Sequence, residues 1–200
     1  MAIPFSVRRP LNLAHLLTSV RLVLTPVFLL VIEAGQHQPT FLKGLAVVVL
    51  FLLICASDYY DGPVARALGV DSDLGKVLDN LADITFLLVT LTYLVLANVV
   101  PWWIPAAVAL AFGQYTVDWW LLAGQRTDLI LVSNPIGHWA GILNYIGTGV
   151  MALHAGLQQQ LLPTLVFYGL MSSWLAYLLL AMAMRLRFFL YARRVQRNAV

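Results

Sequence analysis

Charge is what this chain has least of. Twelve Lys and Arg and nine Asp and Glu make up 10% of its 200 residues, against 61% hydrophobic side chains, whereas a soluble domain carries about a quarter charged residues. That scarcity excludes an ordinary water-soluble fold. Cysteine is almost missing as well: Cys55 stands alone, so no internal disulfide can form, and its apolar neighbours assign it to packing. Met1 to Pro10 lack the apolar core and small-residue cleavage site of a removable secretory signal, which predicts that the N-terminus is retained. Repeats and flexible linkers are absent too, so residues 1–200 read as a single membrane domain.

What is present in quantity is apolar sequence. Runs of roughly 20 residues, enough to cross hydrocarbon, lie near 16–34, 41–57, 80–100, 102–123, 136–157 and 162–184. They predict an all-α, polytopic membrane protein with six transmembrane helices. Phe5, Val7, Leu11 and Leu13 beside Arg8, Arg9 and Asn12 suit a short interfacial helix over residues 1–14 ahead of the first span. The formal charge of +3 does not indicate nucleic acid, because the basic residues sit at span ends and form no stripe. They report topology instead, since Lys and Arg stay cytoplasmic. Arg8, Arg9, Arg21, Arg66, Lys76, Arg126, Arg185, Arg187, Arg193, Arg194 and Arg197 fall on one side of the six-span layout, and Lys43 alone on the other. Both termini are then cytoplasmic, with 185–200 a basic cytoplasmic tail. Trp102, Trp103, Trp119 and Trp120 flank the fourth span as an interfacial belt. His37 and His154, near span ends, are expected to be solvated, and Gly141, Gly147 and Gly149 to permit close helix packing.

The acidic residues are concentrated. Six of nine lie between positions 58 and 83: Asp58, Asp61, Asp71, Asp73, Asp79 and Asp83. A carboxylate at membrane depth is costly unless it faces water, a cation or a partner, and the nearby Arg66 and Lys76 cannot neutralise six. Asp71 and Asp73, beside Ser72 before a helix start, read as caps. The other four do not. If the second helix continues past Asp58, then Asp58, Asp61, Gly62, Ala65 and Arg66 share one face at i, i+3, i+4, i+7 and i+8, with Pro63 expected to kink the stripe. In the next span Gly75, Asp79 and Asp83 share a face at i, i+4 and i+8. Two such stripes can face each other across a polar notch. An all-oxygen donor set suits a hard cation, Mg2+ or Mn2+, with two ions plausible. Gly62, Ala65 and Gly75 remove bulk beside the aspartates, and Arg66 supplies a fork for phosphate.

Read in full, Asp58-x2-Asp61-Gly62-x2-Ala65-Arg66-x8-Gly75-x3-Asp79-x3-Asp83 resembles the signature of the CDP-alcohol phosphotransferase family at every fixed position. The preceding NLAHLLTSVRLVLTP stretch, Asn12 to Pro26, looks like the phosphatidylglycerophosphate synthase branch. The resemblance implies transfer of a phosphatidyl group from CDP-diacylglycerol, or a related CDP-lipid, to an acceptor alcohol with release of CMP. Asp58, Asp61, Asp79 and Asp83 resemble the family's metal ligands, and Asp83 its general base. Gly62, Ala65, Arg66 and Gly75, with Thr18 and Arg21, would hold the cytidine diphosphate. The family also implies an inner-membrane enzyme whose site faces the cytoplasm, working as a homodimer.

The acceptor stays open. The branch carries a Gly-Lys-x-Lys-Thr run in the fifth span where this chain reads Gly137-His138-Trp139-Ala140-Gly141, so two cations that suit glycerol 3-phosphate are gone. His15 replaces a common asparagine, and Ile84-Thr85-Phe86 does not match the Ser-Phe-Gly run of phosphatidylserine synthases. Gln114, Asp118, Arg126 and His138 are candidate acceptor-pocket residues, with Asn144 beside them; helix-to-helix hydrogen bonding is the alternative use of such side chains. Two other functions compete: a divalent-cation transporter or channel, which leaves Arg66 and the small residues without purpose, and a membrane prenyltransferase, which resembles longer chains with two separated acidic motifs.

Overall fold

The computed structural model describes residues 8–38, 40–67, 73–122, 135–157 and 161–198; within these, the side chains of 8–19, 61–66, 73–77, 118–122, 135–138 and 191–198 lie outside the description. Every regular element among the described residues is a helix. The order is α1 (Arg8–His37), α2 (Phe41–Ala67), α3 (Asp73–Leu96), α4 (Trp103–Leu122), α5 (Pro135–Gly156) and α6 (Thr164–Asn198). Among the described residues, four stretches are long and apolar enough to cross a membrane, Val20–His37, Phe41–Tyr60, Leu78–Leu96 and Thr164–Leu190, and α4 is apolar over its described side chains, Trp103–Val117. The chain is a membrane protein, and its outward surface agrees: Val23, Leu30, Leu52, Leu165 and Leu180 all stand exposed, which suits a lipid solvent.

One expectation about helix boundaries changes. Residues 8–14 are not a separate helix but the first turns of α1, which runs unbroken through Pro26 to His37. Nothing between Asn12 and Val20 breaks a helix, and Pro10 falls in the first turn, where its missing N–H has no intrahelical partner to lose. Helix α2 continues past Asp58 and Pro63 to Ala67, as its stripe requires, so both aspartates lie on one helix. α3 starts at Asp73, where a helix start was expected, and Asp71 lies outside the described residues.

Helix α1 packs against α2, α3 and α5; α5 also touches α2, α3 and α6, and α4 bridges α3 and α6. α2 and α3 barely meet each other, because α1 and α5 stand between them. The core these helices share holds Phe28, Ile32, Val47, Ile54, Phe86, Leu91 and Met151. Close approach depends on small residues. A Cβ on Gly35 would lie 2.3 Å from the carbonyl oxygen of Gly156, and one on Gly149 would lie 2.5 Å from the Phe51 ring. Gly147 admits the Trp174 ring, whose Nε1 then donates to Asn144 Oδ1 at 3.1 Å. Gly141 has nothing within 4 Å, so it is not a packing glycine among the described residues. Gly35→Ala should therefore push α1 off α5 backbone to backbone and cost about 1–3 kcal/mol, or roughly 3–9 °C in Tm at about 3 °C per kcal/mol. Gly141→Ala should leave the melting curve in detergent unchanged or slightly raised.

At the end of the bundle holding the α1–α2 turn, Lys43 Nζ caps α1 by donating to the carbonyls of Ala34 and Gln38 at 2.9 and 2.8 Å. Asn98 takes a left-handed φ of 56° in the α3–α4 connection, a conformation asparagine tolerates. Two residues near span ends are more covered than their positions suggest, His154 expected in water and Trp103 in the interfacial belt. His154 is covered, stacked on Phe167 with ring centroids 4.1 Å apart, and its Nδ1 accepts the Leu162 N–H at 3.3 Å. Trp103 packs on the core while Trp102 stays exposed.

Candidate active site

The polar notch is built on an arginine. Arg21 lies near the start of the apolar part of α1 with its side chain 0% exposed, and three carboxylates converge on it. Nη2 donates to Asp58 Oδ1 of α2 at 2.9 Å. Nη1 donates to Asp79 Oδ1 at 3.3 Å and to the Asp79 carbonyl at 3.5 Å, and also to Asp83 Oδ1 on α3. Thr25, one turn on, donates its hydroxyl to the Arg21 carbonyl at 2.8 Å. The aspartates are partly exposed, at 31%, 35% and 24% for Asp58, Asp79 and Asp83. The cluster is thus open on its carboxylate side and closed beneath by the guanidinium.

Spacing explains the convergence. Asp79 and Asp83 stand at i and i+4 on α3, so one helix face presents both, and Asp58 arrives from the last turns of α2. Carboxylate oxygens from all three lie within 4.8 Å of one another. One guanidinium cannot balance three carboxylates, so the group retains capacity for further positive charge. Asp58, Asp79 and Asp83 form a set that can hold a metal ion, and an all-oxygen set favours a hard divalent cation. The guanidinium already among them is the stand-in: a cation of the chain itself occupies the position that the negative charge creates.

Asp61 lies one turn beyond Asp58 on α2, followed by Gly62, Ala65 and Arg66; Gly75 lies in the first turns of α3 and Thr18 one turn before Arg21 on α1. Their backbones place them at the same end of the bundle, and their side chains are outside the description. Asp118 lies in the last turns of α4 and His138 in the first turn of α5 under the same limit, and Arg126 lies outside the described residues. Gln114 is described: its Nε2 donates to the Met182 carbonyl on α6 at 3.0 Å, the helix-to-helix use open to it. Asn144 accepts from Trp174 in the same way.

One participant has no precedent in the motif. Tyr145 of α5 donates its hydroxyl to Asp83 Oδ1 at 2.6 Å, and its ring stacks on Phe86 with centroids 5.8 Å apart and planes 23° from parallel. A polar-tipped aromatic within an apolar span carries no sequence signal separating this role from interfacial anchoring. The sequence marks Arg21 only as a pocket residue; its burial among three aspartates is a tertiary fact.

Fold and site together define a polytopic membrane protein with an acidic, cation-holding notch between α2 and α3. The chain belongs to the CDP-alcohol phosphatidyltransferase family, which it matches over residues 11–184. A Mycobacterium tuberculosis protein named "Probable phosphatidylglycerophosphate synthase" is 34% identical over 97 residues, 48% of this chain and 46% of that protein. The CDP-diacylglycerol–glycerol-3-phosphate 3-phosphatidyltransferase of Bacillus subtilis is 27% identical over 155 residues, 72% of this chain and 77% of the relative. The cardiolipin synthase (CMP-forming) of Streptomyces coelicolor is 35% identical over 96 residues, 48% of this chain and 44% of the relative. The chain thus spans about half the length of the first of these relatives.

Proposed function

We propose that this protein transfers a phosphatidyl group from CDP-diacylglycerol to an acceptor alcohol, releasing CMP, in phospholipid synthesis. The observation that carries the reading is the convergence of Asp58, Asp79 and Asp83 from two helices on one buried cation, within a chain of this family. Asp58, Asp61, Asp79 and Asp83 hold the divalent metal, Mg2+ or Mn2+, as one or two ions. When bound, the metal offsets the carboxylates and the charge of the substrate diphosphate. Gly62, Ala65 and Gly75 leave room for the cytidine diphosphate, and Arg66, Arg21 and Thr18 bind it. Asp83 accepts the hydroxyl proton of the acceptor as that oxygen forms its bond to the lipid-side phosphorus and the bond from that phosphorus to CMP breaks.

The finer arrangement belongs to the same reading: residues 1–200 form one membrane domain, and six spans put both termini and the acidic notch on the cytoplasmic side of the bacterial inner membrane. Residues 185–200 form a basic tail, and the protein works as a homodimer. Glycerol 3-phosphate, named in the Bacillus subtilis relative, is the first acceptor to try. Loss of the fifth-span lysines, at Gly137-His138-Trp139-Ala140-Gly141, makes a non-phosphorylated alcohol the second, with Gln114, Asp118, Arg126 and His138 as pocket residues to mutate.

The test is CMP release from CDP-diacylglycerol by detergent-purified protein, with Mg2+ or Mn2+, over a panel of phosphorylated, lipid and free alcohols. Release should require both metal and one acceptor class. No release with any acceptor, together with no binding of CMP or CDP-lipid, would sink the reading and move cation transport to first place.

A further inference from the structure

Asp83 is held from two sides, and both hands grip the same atom. Arg21 of α1 and Tyr145 of α5 each donate to Oδ1, and among the described residues no donor reaches Oδ2. The side chain remains partly exposed, so its second oxygen is the one left for a ligand. A carboxylate tied at one oxygen loses rotation about its last torsion, which is broad and roughly two-fold when unrestrained.

The two ties differ in kind. Arg21 also serves Asp58 and Asp79, so its hold on Asp83 is shared and follows the charge state of the whole cluster. Tyr145 bonds Asp83 through a hydroxyl fixed by its own ring, and that ring lies against Phe86, which is fully buried in the core. Its 2.6 Å contact is in the range of a strong O–H to carboxylate hydrogen bond. Phe86 sits on α3 only three residues beyond Asp83, so the base and the support of its tether ride on the same helix.

We infer that Tyr145 is a positioning residue of the transfer reaction, tying down Oδ1 of Asp83 so that Oδ2 faces the acceptor hydroxyl. The inference rests on the phosphatidyl-transfer reading and extends it to a residue of α5 outside the acidic motif. The hydrogen bond of Tyr145 goes to Asp83, the base, so its loss is expected in the chemical step rather than in donor binding. A base displaced by a fraction of an ångström loses much of its advantage, since misplacement of about 1 Å can lower a rate about 10²-fold.

The experiment uses the full chain in detergent. Tyr145→Phe keeps the ring on Phe86 and removes only the hydroxyl. It should lower kcat about 10- to 100-fold, with KM for CDP-diacylglycerol within about two-fold of wild type. Mn2+ binding followed by electron paramagnetic resonance and CMP binding should stay at wild-type values, and the melting temperature should fall by no more than the several degrees that loss of one hydrogen bond costs. A kcat within two-fold of wild type overturns the inference, and so does a fall in kcat accompanied by equal losses of Mn2+ and CMP binding, which marks a structural role. Phe86→Leu keeps the hydroxyl but frees the ring, and should lower kcat by a smaller factor at unchanged KM; an unchanged kcat there also counts against positioning. Wild-type protein that releases no CMP with any acceptor brings down the reaction itself, a result distinct from an active wild type beside an equally active Tyr145→Phe.

Discussion

Asp83→Asn should reduce CMP release by about 10²- to 10⁴-fold, the range that a positioned general base contributes. The exchange is nearly isosteric, and the amide oxygen can still accept from Arg21 and Tyr145, whose hydrogen bonds both end on one oxygen of Asp83. What it cannot do is take a proton from an alcohol. CMP binding and folding should therefore persist while turnover fails. Asp58→Asn supplies the contrast, since Asp58 is placed as a ligand only. Its loss should be recovered in part by raising Mn2+, whereas added metal should leave Asp83→Asn as slow as before. Two variants that respond equally to metal would remove the assignment of Asp83 as base, and an Asp83→Asn enzyme of near wild-type turnover would remove the mechanism.

Much of this site could be read from spacing, because the informative contacts run along single helices. Asp79 and Asp83 share a face by periodicity alone, and Asp58 needed only that α2 continue to the end of its stripe, which it does through Pro63. What spacing cannot supply is the partner across the bundle. Arg21 lies 37 residues from Asp58 and 62 from Asp83, and the pattern of α1 gives its position along the helix without saying what it meets. Tyr145 was invisible for the same reason. His154 was expected in water because it is close to a span end, yet the start of α6 folds over it and Phe167 stacks on the ring. Among the described residues six helices form, and four of them satisfy length and apolarity for a span. Of the other two, α4 is apolar over its described side chains, Trp103–Val117, and α5 carries Asn144, Tyr145, Thr148 and His154 where it packs among α1, α2, α3 and α6. A helix shielded by neighbours needs less apolar surface than one facing lipid.

Arg21→Met should divide the stability of the protein according to metal. The guanidinium is fully buried and bonded to three carboxylates, and removing one partner of a buried ionic group costs about 3–5 kcal/mol because the remaining charges lose their compensation. At about 3 °C per kcal/mol for a chain of this size, the variant in EDTA should melt roughly 10 °C below wild type. Methionine keeps most of the apolar stem, so the loss reports charge rather than packing. Adding Mn2+ or Mg2+ should reverse most of it. The metal-induced rise in Tm should also exceed that of wild type, in which an entering ion competes with the guanidinium for the same oxygens and gains correspondingly less. Turnover should nevertheless stay low, because the proposed contact of Arg21 with the substrate diphosphate is gone. Thermal unfolding in detergent, with EDTA and across a metal titration, decides the matter. Equal melting of the two proteins in EDTA would mean that Arg21 does not hold the aspartates together. A deficit that metal fails to repair would mean that the three carboxylates are not the metal site.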